Sequence, residues 1–129
     1  MSKRKNITTG SPWEDKVGYS RAVQVGNIIE VSGTTATGKD GVIVGIDDPY
    51  LQTKTIIETA KNVLENMGSS LADVVRTRIY TTDISRWEEI GKAHGEYFGN
   101  IKPTTSMIGV SAFVSPDMLV EIEFTAIID

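Results

Sequence analysis

No cysteine occurs among the 129 residues, which removes disulfides, Cys-ligated zinc and a thiol nucleophile together. The single histidine, His94, offers poor zinc ligation on its own. No apolar run approaches the roughly 20 residues that cross a bilayer, so no membrane partner is expected. The basic start Met1-Ser2-Lys3-Arg4-Lys5 is followed by no apolar stretch, so no secretory signal is expected and the cytoplasm is the expected location. Positive charge is scarce too: 13 basic residues against 17 acidic ones leave a net charge of -4, which works against general affinity for phosphate backbones. No stripe of alternating Arg and aromatic residues offsets that deficit, and nucleic acid is not an expected partner. The glycines of Gly38-Lys39-Asp40-Gly41 lie in a loop with no following Lys-Ser/Thr, so phosphate-loop and dinucleotide readings find no support. Neither a cofactor nor a metal is expected.

What is present reads as one domain over residues 1–129, with 40% hydrophobic and 23% charged residues. The clearest pattern is the period of two near the C-terminus, where Val120, Ile122, Phe124, Ala126 and Ile128 alternate with positions that include Glu121 and Glu123. The run Thr104 to Phe113 places Ile108, Val110 and Ala112 on one face and Thr105, Met107, Gly109 and Ser111 on the other. Joined through Ser115-Pro116-Asp117, a turn-forming trio, these two strands are expected to share an apolar face. Pocket chemistry belongs on the opposite, small and polar face.

Earlier in the chain, residues 1 to 17 read as an irregular lead-in, with the basic cluster a solvated end and Trp13 an anchor packed on a neighbouring element or subunit. Tyr19 to Val25 and Ile28 to Ser32 form a hairpin across Gly26-Asn27, and Val42-Ile43-Val44 follows as a short third strand. Asp48 as N-cap, Pro49 in the first turn and Gly68 just past the end bracket a helix with one apolar stripe, Ile56, Ala60, Val63, Leu64 and Met67. Val74 to Asp83 is a strand with Arg76 and Arg78 on one face and Thr77, Ile79 and Thr81 on the other. Ser85-Arg86-Trp87-Glu88 fits a capping box opening a second helix, with Trp87, Ile90, Tyr97 and Phe98 on its apolar side and an end near Gly99.

The resulting order, β-β-β-α-β-α-β-β, is an α+β layer structure: one mixed sheet with two helices on one face. The face away from the helices carries Glu30, Arg76, Arg78, Glu121 and Glu123. Those charges either pair within the sheet or meet another subunit.

Several short stretches fall in an order that resembles the Rid family of reactive-intermediate deaminases, also called the YjgF or L-PSP endoribonuclease-like family. They are Gly18-Tyr19-Ser20-Arg21-Ala22-Val23, Val25-Gly26-Asn27, Val31-Ser32-Gly33, Gly68 through Val75, Pro103-Thr104-Thr105-Ser106 and Val120-Glu121-Ile122-Glu123. The resemblance implies a chorismate-mutase-like fold, assembled as a homotrimer with small-molecule clefts between subunits. In such clefts imines and enamines are hydrolysed: an Arg in a Pro-Ala-Arg-Ser run grips the substrate carboxylate, and a Glu on the last strand positions or activates water.

Carried over position by position, Glu121 takes the catalytic role, and Tyr19, Arg21, Ser32, Gly33, Thr105 and Met107 are the candidate substrate-binding residues. The chain departs from the family at the anchor, because Thr105 stands where the Arg belongs. A hydroxyl makes no bidentate fork, and losing such a contact in a partly desolvated cleft costs roughly 2–5 kcal/mol. Met107 replaces a small residue, Gly91 an Asn, His94 an aromatic residue and Arg21 a Gln. Arg21 reads either as a substitute cation in the cleft or as one side of a surface or interface salt bridge. His94 reads as a group that titrates near neutral pH or as an interface or capping residue.

The expected function is therefore hydrolysis of an imine, enamine or other small reactive metabolite without efficient action on 2-iminobutanoate. The alternative is a non-catalytic small-molecule binding or interaction protein. Endoribonuclease activity ranks last.

Overall fold

The computed structural model describes residues 3–129. The elements run β1 (Arg4–Ile7), α1 (Pro12–Val17), β2 (Ala22–Val25), β3 (Ile28–Thr34), α2 (Pro49–Asn66), β4 (Val74–Thr81), α3 (Trp87–Phe98), β5 (Thr104–Gly109) and β6 (Val120–Ile127). Single turns of 3-10 helix precede β4 and α3. The six strands form one mixed sheet in the order β1-β2-β3-β6-β4-β5, antiparallel throughout except for the β4–β5 pair. Two parallel neighbours cannot be joined by a tight turn, and α3 is the crossover that joins this pair.

Helix α2 forms where its punctuation predicts. The Asp48 carboxylate accepts from Leu51 N–H at 3.0 Å, Pro49 occupies the first turn, and Gly68 takes φ +82° just beyond the C-cap Met67. Its stripe of Ile56, Ala60, Val63, Leu64 and Met67 is buried against the sheet residues Ile29, Val31, Ile79, Val120, Ile122, Phe124 and Ala126. Each large apolar side chain so buried contributes about 1.5–3 kcal/mol. Gln52 is fully buried yet satisfied: its amide donates to Gly45 O and Asp117 O, and its carbonyl accepts from Leu119 N–H at 2.9 Å. One α2 side chain thus ties down two loops. The Gly26-Asn27 hairpin closes as expected, with Val25 opposite Ile28 and Gly26 at φ +61°.

Four local expectations are corrected. The lead-in is ordered. Arg4 and Lys5 lie in β1 paired to β2 and are not a frayed end, while Met1 and Ser2 lie outside the described residues. Trp13 lies in a six-residue helix and is 56% exposed on the protomer, so it is not buried by a neighbouring element of its own chain, and of the two expected partners a subunit is the one left. Val42–Val44 is not a strand; only Ile43 bridges to Thr37, because Gly41 and Gly45, both at positive φ, bend the chain on either side. The expected capping box before α3 does not form, since Ser85 hydrogen-bonds to Asp83 and Arg86 stands at the N-cap without a side-chain cap bond. Trp87, expected on the apolar side of α3, is 55% exposed, while Ile90 and Phe98 enter the core.

The largest correction concerns β5. It does not neighbour β6, because β4 lies between them. Its register sets Thr105 beside Thr77, Met107 beside Ile79 and Gly109 beside Thr81, and Thr77, Ile79 and Thr81 are buried beneath the helices. Thr105 and Met107 therefore point to the helix side of the sheet, and Ile108 lies on the opposite side, 45% exposed.

Candidate functional site

The face without helices carries the polar side chains of β3, β4 and β6. Glu30 stands opposite Thr125, Arg78 opposite Glu123, and Tyr80 opposite Glu121. The Tyr80 hydroxyl donates to Glu123 Oε1 at 2.9 Å, and that bond holds the phenol proton and raises the Tyr80 pKa.

Glu121 differs from its neighbour. It is half-buried, and among the described residues it accepts no hydrogen bond. Burial pushes its carboxyl above the usual carboxylate range, Glu123 adds to the push, and Arg21 opposes it. Room for this carboxylate comes from an irregularity in β3. Val31 pairs with Phe124 and Thr34 with Ile122, so β3 places three steps against two on β6, a bulge at Ser32-Gly33. At Gly33 a Cβ would lie 2.5 Å from Glu121 Oε2. Only glycine leaves the carboxylate where it stands.

Arg21, just before β2, reaches the same bulge. Its Nη1 donates to Gly33 O and to Thr34 Oγ1, each at 3.2 Å. Its guanidinium carbon lies 5.7 Å from the centre of the Tyr19 ring. Nε, buried and without a hydrogen-bond partner, sits 4.0 Å from Glu14 Oε2. Ser32 is used structurally: its hydroxyl donates to Ser20 O at 2.6 Å. A hollow of 480 Å³ opens alongside, lined by Glu14, Gly18, Tyr19, Ser20 and Ser32 among others. A second, of 290 Å³, lies on the open face between Glu30, Ser32, Arg78 and Glu123.

One protomer thus brings together Tyr19, Arg21, Ser32, Gly33 and Glu121. Thr105 and Met107 stand apart on the far edge strand and on the other side of the sheet. Four strand spacings separate β2 from β5, about 19 Å, so Thr105 cannot join Arg21 within one chain. Thr105 instead ends a polar chain under α3: Thr105 Oγ1 to Thr77 Oγ1 is 2.8 Å, and Thr77 Oγ1 to His94 Nε2 is 3.0 Å. His94 stacks at 4.7 Å on Phe98, and burial lowers its pKa, which favours the neutral imidazole.

Glu14 is the residue that reading the sequence missed. It is 3% exposed, and its carboxylate accepts from Thr9 N–H at 3.0 Å and Thr9 Oγ1 at 2.6 Å. The signal was there in Ser11-Pro12-Trp13-Glu14, a helix-opening pattern with Ser at the N-cap, Pro next and Glu at the third helical position. Among the described residues no group of three His, Cys, Asp or Glu side chains could hold a metal ion, and no helix is long and apolar enough to cross a membrane.

Comparison with known proteins follows the same outline. Residues 11–128 match the family model described as Endoribonuclease L-PSP. The chain belongs to the endoribonuclease L-PSP family. A member of the YjgF/YER057c/UK114 family from Mycobacterium tuberculosis has the same fold, with TM-score 0.88 and 46% identity over 97% of this chain and 99% of that one. A Rid family protein from Yersinia pestis superposes at TM-score 0.83 with 28% identity, covering 97% and 99%. The 3-aminoacrylate deaminase RutC of Acinetobacter baylyi is 33% identical over 84% of this chain and 85% of its own length. This L-PSP family fold includes the short α1 in addition to the two long helices, and it is α1 that delivers Glu14 to the site.

Proposed function

We propose that this L-PSP family member is a cytoplasmic hydrolase of a small imine or enamine, working in clefts between the subunits of a homotrimer. The observation that carries the reading is Glu121: a half-buried carboxyl with a raised pKa and no hydrogen bond among the described residues, held open to the uncovered face by the Gly33 bulge. A carboxyl poised closer to neutrality both takes and returns a proton. An enamine first moves its N–H proton to its β-carbon to give the imine. Glu121 removes a proton from water as the water oxygen bonds to the C=N carbon, and returns that proton to the nitrogen, giving the carbinolamine. Glu121 then takes the carbinolamine hydroxyl proton and passes it to the amine as the C–N bond breaks, leaving a carbonyl compound and ammonia. Similarity to a relative named 3-aminoacrylate deaminase supports an enamine or imine as the reacting group.

In this reading Tyr19, Arg21, Ser32 and Gly33 shape one wall of the cleft, and a second copy brings Thr105 and Met107 to the other. The polar, uncovered face with Glu30, Arg78 and Glu123 supports an assembly that covers it. With Thr105 at the anchor and no guanidinium there, carboxylate substrates such as 2-iminobutanoate lose their grip and are turned over poorly.

Ammonia release from 2-iminobutanoate and from neutral imines tests the proposal. Turnover of a neutral imine that disappears in Glu121→Ala is expected. A trimer inert towards every imine, with Glu121→Ala changing nothing, removes it. The second reading is a binding protein that has kept the clefts without the chemistry, supported by the combined departures at Thr105, Gly91 and Met107. A metabolite that raises the melting temperature and is never consumed would favour it.

A further inference from the structure

We propose that Arg21 is a positioning residue: pinned by Glu14, the Tyr19 ring and the Ser32-Gly33 bulge, its guanidinium fixes the backbone and the charge beside Glu121 instead of gripping the ligand. The inference deepens the hydrolase reading and rests on it.

Three contacts lead to this assignment. First, the Nη1 donor is already committed, to Gly33 O and Thr34 Oγ1 at 3.2 Å each. These two acceptors lie at the C-terminal end of the stretch, between Val31 and Thr34, where β3 departs from its ladder with β6. A bulge leaves backbone groups without strand partners, and here the arginine takes up one of the freed carbonyls. Second, the charge is already matched. Glu14 is 3% exposed and lies 4.0 Å from Nε, and Thr9 fixes the Glu14 carboxylate by two hydrogen bonds. A carboxylate held that firmly determines where the cation rests. Third, the Arg21 side chain is only 13% exposed, with the Tyr19 ring at 5.7 Å. A group built to meet an incoming carboxylate keeps its donors towards solvent. Here Nη1 and Nε are both turned towards the protein.

The remaining surroundings of Glu121 sharpen the point. Glu123 on the same strand raises its pKa and Arg21 lowers it, while Tyr80 stands opposite it on β4 as a phenol whose hydroxyl is turned to Glu123. Gly33 approaches from β3 with no side chain at all. Arg21 is therefore the cation that offsets burial and Glu123 at this carboxyl. Its role is to keep Glu121 able to ionise while the bulge keeps it in place.

The test is an NMR titration of the side-chain carboxyls in the full-length protein, with the Glu121 signal assigned from Glu121→Gln. Arg21→Gln should move the Glu121 midpoint upward, beyond the error of the titration, and Arg21→Lys should restore it in part because it keeps the charge. Arg21→Gln leaves Glu14 buried without its cation, so Glu14→Gln/Arg21→Gln is measured beside it; that variant removes both charges and strands neither. It too should show the raised midpoint. A Glu121 midpoint unchanged in Glu14→Gln/Arg21→Gln overturns the proposal. So does a loss of more than about tenfold in affinity for 2-oxobutanoate, the carboxylate product of 2-iminobutanoate hydrolysis, on going from wild type to Arg21→Gln. The midpoint is read without turnover, so its failure is separate from failure of the hydrolase reading, which rests on ammonia release.

Discussion

On β6, Ile122 and Phe124 lie in a dry layer beneath α2, while Glu121 and Glu123, each one residue away, stand on a face that no helix covers. The same contrast runs along β4, where Thr77, Ile79 and Thr81 are buried and Arg76, Arg78 and Tyr80 are not. Even the polar groups behave differently on the two sides. Under the helices Thr53 donates back to Pro49 O, and Thr77 is held between His94 and Thr105, so buried hydroxyls are paired. On the open face the Glu121 carboxylate is left without a hydrogen bond from the described residues although it is half-buried. One side of the sheet is arranged for stability, and the other tolerates a group that works against it.

The sharpest way to break this contrast is to cut into the covered side. Phe124→Ala should cost about 3–5 kcal/mol in chemical denaturation through lost transfer energy and the cavity left behind. A loss no larger than that of a substitution on the open face would mean that the two sides are not so divided.

Glu121→Gln should show the opposite sign. Imine turnover, where it is measured, should fall about 100-fold or more, yet the fold should become more stable at neutral pH. A carboxyl whose pKa is raised on folding binds protons more tightly in the folded state, so it destabilises the fold as pH rises past the ordinary value of 4.5. The gain should disappear in acid below that value, and urea titrations at pH 7 and pH 4 read it directly.

His94 gives a smaller, pH-dependent effect on the covered side. Its pKa lies below the ordinary 6.5 because it is buried. As pH falls through 6.5 the unfolded chain takes a proton that the folded chain refuses, so stability declines on the acid side. His94→Gln should flatten that decline between about pH 7 and pH 5, and an unchanged slope would show that the imidazole is better solvated than its packing on Phe98 implies. The smallest expected effect is that of Tyr80→Phe, which removes one hydrogen bond to Glu123 and should cost about 0.5–1 kcal/mol.

How much of this could be read in advance depended on whether the cause was local. Helix α2 was legible because Asp48, Pro49 and Gly68 do their work within a turn of where they stand, and β6 because its alternation is unbroken from Val120 to Ala126. Strand β5 was misread because Thr104-Thr105-Ser106-Met107 has no clear alternation of its own. Which side it shows is set by parallel pairing with β4, whose partner residues lie 28 positions earlier in the chain, through a crossover. Val42–Val44 looked like a strand by composition, and the two flanking glycines at positive φ decided otherwise. In the site, the alternation of β6 placed Glu121 on the polar face, but its role, like the choice of Tyr19, came only through resemblance to a family. Glu14 went unread because a six-residue helix hardly registers in a periodicity, and the need for glycine at position 33 depends on a side chain eighty-eight positions later.

The bulge in β3 also changes the counting of that strand. Ahead of it the inward-facing residues are odd-numbered, Ile29 and Val31, and beyond it the inward residue is Thr34. Removing one residue between them would restore an unbroken parity and a more regular ladder. It would also close the notch that admits Glu121, so a one-residue deletion there should yield a tidier strand and a protein without its carboxylate in place.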